Sequence, residues 1–119
     1  MRIVIETLPA DEMRYRTDGD WFTTPDGVIM IQINEEMPQH DQFLIAIHEL
    51  IEMKLCESAG VTQQAVDDFD MAFTGDGEPG DAPGAPYIRQ HRFAALIDHM
   101  IAHEMGIDRY GTVDWEEPK

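Results

Sequence analysis

His48-Glu49-Leu50-Ile51-Glu52 is the stretch whose residue types and spacing could do chemistry. At about 100° per residue, His48 and Glu52 stand one helical turn apart on the same side. A catalytic zinc takes three nitrogen, oxygen or sulfur ligands and keeps one position for water. An H-E-x-x-H helix supplies two imidazoles at this spacing, and its glutamate sits close enough to take the water's proton. Here the second histidine is replaced by Glu52. A carboxylate is still a legitimate ligand, but it is harder and charged, which weakens the preference for zinc over manganese or iron. His48 and Glu52 thus make half of a metal site, with Glu49 the neighbour placed to work on a bound water. The same pair also fits a hydrogen-bonded contact at the core edge with no metal.

The rest of a ligand set must come from elsewhere in the chain. His91 falls in the first turn of a third helix, about 140° from that helix's apolar centre. That position suits a histidine reaching a neighbouring helix, or one exposed or capping. Asp70 lies about 40° from Val66, on the buried side of a second helix, where a carboxylate needs a partner. It is a candidate ligand, or the acceptor that fixes an imidazole tautomer, unless Arg89 or Arg92 pairs with it. His40 precedes the first helix, and His99 and His103 read as surface residues. Cys56, one turn past Glu52, reads as a buried inert thiol. Met37, Met53, Met71, Met100 and Met105 read as core filling. The expected cofactor is a divalent metal, zinc first.

The elements that must position these groups follow from patterning. Arg2 to Leu8 alternates as a strand ended by Pro9. Met13 to Arg16 is ambiguous between strand and loop. Trp21–Thr23 and Val28–Ile33 read as a hairpin across Asp26-Gly27. Leu44, Ile47, Ile51 and Leu55 share an apolar stripe, predicting a first helix over about 42–58 with Asp41 as N-cap and Gly60 as stop. His48 and Glu52 flank that stripe. Thr62 caps a second helix, about 63–73, with Val66, Phe69 and Phe73 inward. The Gly-, Pro- and acid-rich stretch 74–86 reads as a solvated loop, since no spacing in it matches a calcium-binding loop. A third helix runs from near Tyr87 to Met105 and stops at Gly106, with Phe93, Leu96, Ile97, Met100 and Ile101 as its core stripe. In the tail 107–119, Tyr110, Val113 and Trp115 are positioned to dock. The expectation is one α+β domain over 1–119: a small antiparallel sheet in the β-rich segment 1–34, packed on three helices within 41–106.

Bulk composition narrows the class. The 119 residues suit one domain, and an apolar fraction of 43% argues against disorder. Net charge is -16, and between Asn34 and Asp81 twelve acids face Lys54 alone. Such a field disfavours nucleic acid and anionic membranes as partners and favours cations or basic partners. One cysteine permits no intrachain disulfide, and no run approaches the roughly 18 apolar residues of a membrane span. A soluble, cytoplasmic protein is expected.

Leu44 to Glu52, preceded by the hairpin ending in Val28–Ile33, resembles the strand-then-active-helix unit of zincin-like metallopeptidases. Three further stretches look like a family of small phage- and prophage-encoded proteins of unknown function: Gly19-Asp20-Trp21; His48 to Glu52 with Cys56; and Val66 to Asp70 followed by Gly80-Asp81, Ala85-Pro86-Tyr87 and His91. The zincin resemblance implies a zincin-like core, His48 and Glu52 as ligands, Glu49 as general base, and a peptide or protein substrate. Another class shares some of the pattern. Glu49-x-x-Glu52 and Asp67-x-x-Asp70 are similar to the E-x-x-E…E-x-x-D acids that hold magnesium in all-α nucleoside triphosphate pyrophosphohydrolases. Against it stand the β-rich N-terminal third and the lack of a basic cluster near those helices. A third reading is a non-enzymatic acidic phage accessory protein with a structural metal. The expected activity is that of a minimal metal-dependent hydrolase, with His48, Glu52 and His91 holding the ion and Asp70 completing or orienting the shell.

Overall fold

Three strands and three helices carry the chain in a computed structural model that describes residues 1–107. The expected docking of Tyr110, Val113 and Trp115 falls outside these residues. The strands are β1 (Ile3–Leu8), β2 (Gly19–Thr23) and β3 (Ile29–Asn34), and the helices α1 (Gln39–Ala59), α2 (Gln63–Ala72) and α3 (Ile88–Glu104). The β2–β3 hairpin forms as its turn residues demand, with Thr24 accepting the Gly27 N–H at 2.9 Å. The sheet is nevertheless mixed and not antiparallel throughout. Its order is β1-β3-β2, and β1 runs parallel to β3 from Ile3↔Ile29 to Leu8↔Asn34. The connection after Pro9 returns to the same end of the sheet, so β1 takes the free edge of β3 in the same direction. Alternating side chains say which face is buried; strand direction is set by the connection.

β3 is the central strand, and Ile31 and Ile33 are fully buried against Leu44 and Cys56 of α1. Each large apolar side chain so buried stabilises the fold by about 1.5–3 kcal/mol. Helix α1 begins earlier than expected, with Pro38 at the N-cap. Proline brings a fixed φ and no N–H to satisfy, which leaves Asp41 inside the first turn and not at the cap. Its other end is as expected: Gly60, at φ 76°, receives the left-handed cap. The Thr62 hydroxyl caps α2 by accepting the Ala65 N–H at 3.1 Å.

Helix α3 corrects the sequence expectation more deeply. Phe93 and Met100 are 50% and 57% exposed, and Leu96 is exposed too. The buried face is His91, Ala94, Asp98 and Ala102. His91, Asp98 and Ala102 fall within about 20° of one line along the helix, and Phe93 and Met100 are nearly opposite. Alanines on this face let α3 approach α1 closely, and α1 is its most extensive partner. The interior between the two helices is filled by ionisable side chains. Among the described residues, no helix is long and apolar enough to cross a membrane.

Candidate metal centre

The α1–α3 contact brings together three groups, two of them distant in sequence from the third. His48 Nε2 lies 3.2 Å from Glu52 Oε2 and 3.2 Å from His91 Nδ1, and His91 Nδ1 lies 2.9 Å from Glu52 Oε2. The ring centroids are 4.7 Å apart, inclined at 66°. All three residues are buried. Atoms bound about 2.1 Å from one ion sit about 3.0–3.4 Å from one another in octahedral or tetrahedral shells. The observed triangle matches that spacing, so His48, Glu52 and His91 form a group that could hold a metal ion. Glu52 lies on the buried side of α1 with His48, and not merely beside the core.

Each imidazole also meets a carboxylate on its outward side. His48 Nδ1 lies 2.7 Å from Asp98 Oδ2, which fixes Nε2 as the inward nitrogen. His91 Nε2 lies 3.6 Å from both Glu78 Oε1 and Asp81 Oδ1. These two acids belong to the 74–86 stretch, whose short 3-10 turn Pro79–Asp81 packs on the His91 ring. The stretch therefore contributes to the site wall and is not a detached solvated loop. A Cβ at Gly80 would stand 2.4 Å from His91 Cγ. Gly80 is not left-handed, so space alone demands the glycine. Glu78, Asp81 and His91 make a second convergent group, two of whose members are exposed.

The remaining oxygen of Glu52 accepts the Trp21 indole N–H at 2.9 Å. Strand β2 reaches α1 because Gly19 has no side chain: a Cβ there would lie 2.5 Å from Ile45 Cγ2. Burial works against the charged form of His48, but Asp98 and Glu52 outweigh it and raise its pKa to about 11. Burial likewise opposes the His91 imidazolium, and Asp81 and Glu52 outweigh it to about 10. Burial would raise Glu52, yet hydrogen bonds from the two imidazoles pull it below the carboxylate range. Glu49 behaves oppositely, since burial and the Glu52 charge push its carboxyl well above the ordinary value.

Asp70, expected in the metal shell, stands apart from this triangle. One oxygen accepts the Tyr15 hydroxyl at 2.9 Å and the other accepts from Tyr87. Burial raises its carboxyl to about 6 against the pull of both phenols. Asp98 takes the tautomer-fixing role that Asp70 was expected to share, and the partners of Asp70 are the two tyrosines in place of Arg89 or Arg92. Asp67 is held by Arg14, which also clamps Asp20 with bonds of 2.8 and 2.9 Å. Among the described residues, neither Asp67 nor Asp70 belongs to a convergent ligand group. His99 meets Asp98 at 2.6 Å, His40 is half exposed beside Asp41, and His103 is exposed. Cys56 is buried, and burial raises its thiol to about 12.

Sequence reasoning missed Asp98, Trp21 and the Glu78/Asp81 pair. Asp98 carried a usable signal: seven residues after His91, it falls on the same face two turns on. The cluster opens into a cleft of about 870 Å³ lined by His48, Glu49, Glu52, Asp70, Tyr87 and His91 among others. Comparison of the chain with protein families, with curated proteins and with solved structures gives no match.

Proposed function

We propose that the chain is a small metal-dependent hydrolase of zincin-like chemistry, in which His48, Glu52 and His91 bind one zinc ion. The observation that carries this reading is the triangle of 2.9–3.2 Å between His48 Nε2, Glu52 Oε2 and His91 Nδ1. A zinc ion held there supplies a polarised carbonyl and a water of lowered pKa. Glu49 lines the same cleft and has no hydrogen-bonding partner among the described residues; burial makes it a stronger base than an ordinary carboxylate, and the charge of a bound ion would favour the ionised form that takes the water's proton. Asp98 holds the His48 tautomer, and the Trp21 indole N–H engages the Glu52 oxygen that is not part of the triangle. Tyr15 and Tyr87 occupy Asp70, leaving it on the wall of the cleft. An amide carbonyl of a peptide is the proposed electrophile. The two-histidine, one-carboxylate set also suits ferrous iron; the unpaired Glu49 favours water activation and therefore zinc.

Metal analysis of the purified chain, loaded with zinc and dialysed, tests the ligand set. One equivalent is expected in the wild type, and none in His48→Ala or after chelation. A His48→Ala variant that still holds one equivalent would sink the assignment. Glu49→Gln should retain the metal and lose turnover of a peptide library, and an unchanged rate would remove Glu49 from the chemistry. Nucleotide hydrolysis that needs magnesium and disappears in Asp67→Asn would instead support the pyrophosphohydrolase class.

A further inference from the structure

Helix α3 turns an apolar stripe to solvent, and the charges at its two ends are set against the helix. Phe93, Leu96 and Met100 are exposed, on the side opposite the face packed on α1. With the half-buried Ile97 they form a seam along the helix, which Arg89 and Glu104 close at either end. All six lie within about 60° of one line. A contiguous exposed apolar stripe rimmed by polar groups marks an interaction surface. Arg89 stands in the first turn, where the helix dipole already presents positive charge and no acid offsets it. Glu104 is the last helical residue, at the negative end. Among the described residues neither has an ion pair. Each disfavours the isolated helix slightly and is offset by an opposite charge supplied from outside.

The order of the six residues says where that charge comes from. About a two-fold axis between Leu96 and Ile97, an antiparallel second α3 sets Arg89 against the partner's Glu104. Phe93 then meets the partner's Met100, and Leu96 meets the partner's Ile97. Such a face is self-complementary, as an isologous contact requires. Antiparallel packing also opposes the two helix dipoles. The acids that would hold two copies apart are concentrated between Asn34 and Asp81, whereas α3 sets Arg89 and Arg92 against Asp98 and Glu104. The geometry points to a second copy of this chain as the partner of the α3 stripe, packed as an antiparallel helix pair. Arg89 to Glu104 spans about 22 Å, short of what a standard interface needs, so the dimer is weak, with a Kd on the order of 10–100 µM. The inference is independent of the hydrolase reading, because the stripe lies on the far side of α3 from His91.

Sedimentation of the full chain in chelator, from about 10 µM to about 1 mM at about 0.15 M salt, tests the pairing. The wild type should pass from monomer to dimer, and Phe93→Glu should stay monomeric with an unchanged circular dichroism spectrum. Arg89→Glu and Glu104→Arg should each weaken the dimer by about tenfold, since each sets like charges together at both ends of the helix pair. Both changes on one chain bring opposite charges together again and should restore the wild-type affinity. Net charge alone cannot produce this pattern: Glu104→Arg makes the chain less acidic and, without the register, would strengthen association. A chain that stays monomeric to about 1 mM would overturn the proposal and give the stripe to another occupant, the segment 108–119 or an unrelated protein. So would a dimer that Phe93→Glu leaves intact, or a double variant no better than either single one. The hydrolase reading stands or falls by metal content and turnover, neither of which sedimentation reads.

Discussion

The two imidazoles of the cluster are held in unlike ways. His48 is braced from within, because Asp98 is a buried residue of α3 and meets Nδ1 at 2.7 Å across a packed helix pair. His91 is braced from outside by Glu78 and Asp81, which are about half exposed, come from a short turn, and stand 3.6 Å away. A helix-borne carboxylate in a dry interface is preorganised and strengthens the donor nitrogen. Carboxylates at the surface are screened and must be ordered each time they engage. The difference makes His48 the more rigidly fixed imidazole of the pair and leaves the His91 side to the turn over Gly80.

Crowding that turn should have the largest effect. Gly80→Val places a branched side chain where a Cβ already stands 2.4 Å from the ring; zinc affinity should fall by about 100-fold or more. Calorimetric titration would show it, and an unchanged Kd would mean that the turn yields freely. Asp98→Asn comes next, with a loss of about 10–100-fold. If it matches wild type, the internal brace is irrelevant. Asp81→Asn combined with Glu78→Gln should cost less than about tenfold, because exposed charge pairs contribute little. A loss equal to that of Asp98→Asn would erase the contrast.

The mildest test is pH. With His48 raised to about 11 and His91 to about 10, the metal-free cluster holds protons at neutral pH that an ion must displace. Zinc uptake should therefore release protons, and affinity should rise with pH across the neutral range. Uptake in two buffers of different ionisation enthalpy would measure the release; none at pH 7 would contradict the protonated resting state.

The α1 half of the site was legible because a single helix fixes the i, i+4 relation of His48 and Glu52 whatever surrounds it. The caps at Gly60 and Thr62 were legible for the same local reason. Helix α3 defeats its own hydrophobic periodicity. Phe93, Leu96 and Met100 make a convincing stripe, yet that stripe is exposed and the ionisable one is inside. His91 sits off the apolar face by spacing alone, and taking it as inward turns the helix correctly and finds Asp98.

What the sequence determined by itself is local: the helix carrying His48, Glu49 and Glu52, and the hairpin across Asp26-Gly27. What tertiary structure alone decided is which distant groups meet. His91, Asp98, Trp21 and the turn around Gly80 lie 31 to 50 residues from their partners at the cluster, or arrive on an irregular segment. No periodicity encodes that convergence. It depends on how closely the elements pack: alanines line the face that α3 turns to α1, and the missing side chains of Gly19 and Gly80 let β2 approach α1 and the turn approach His91.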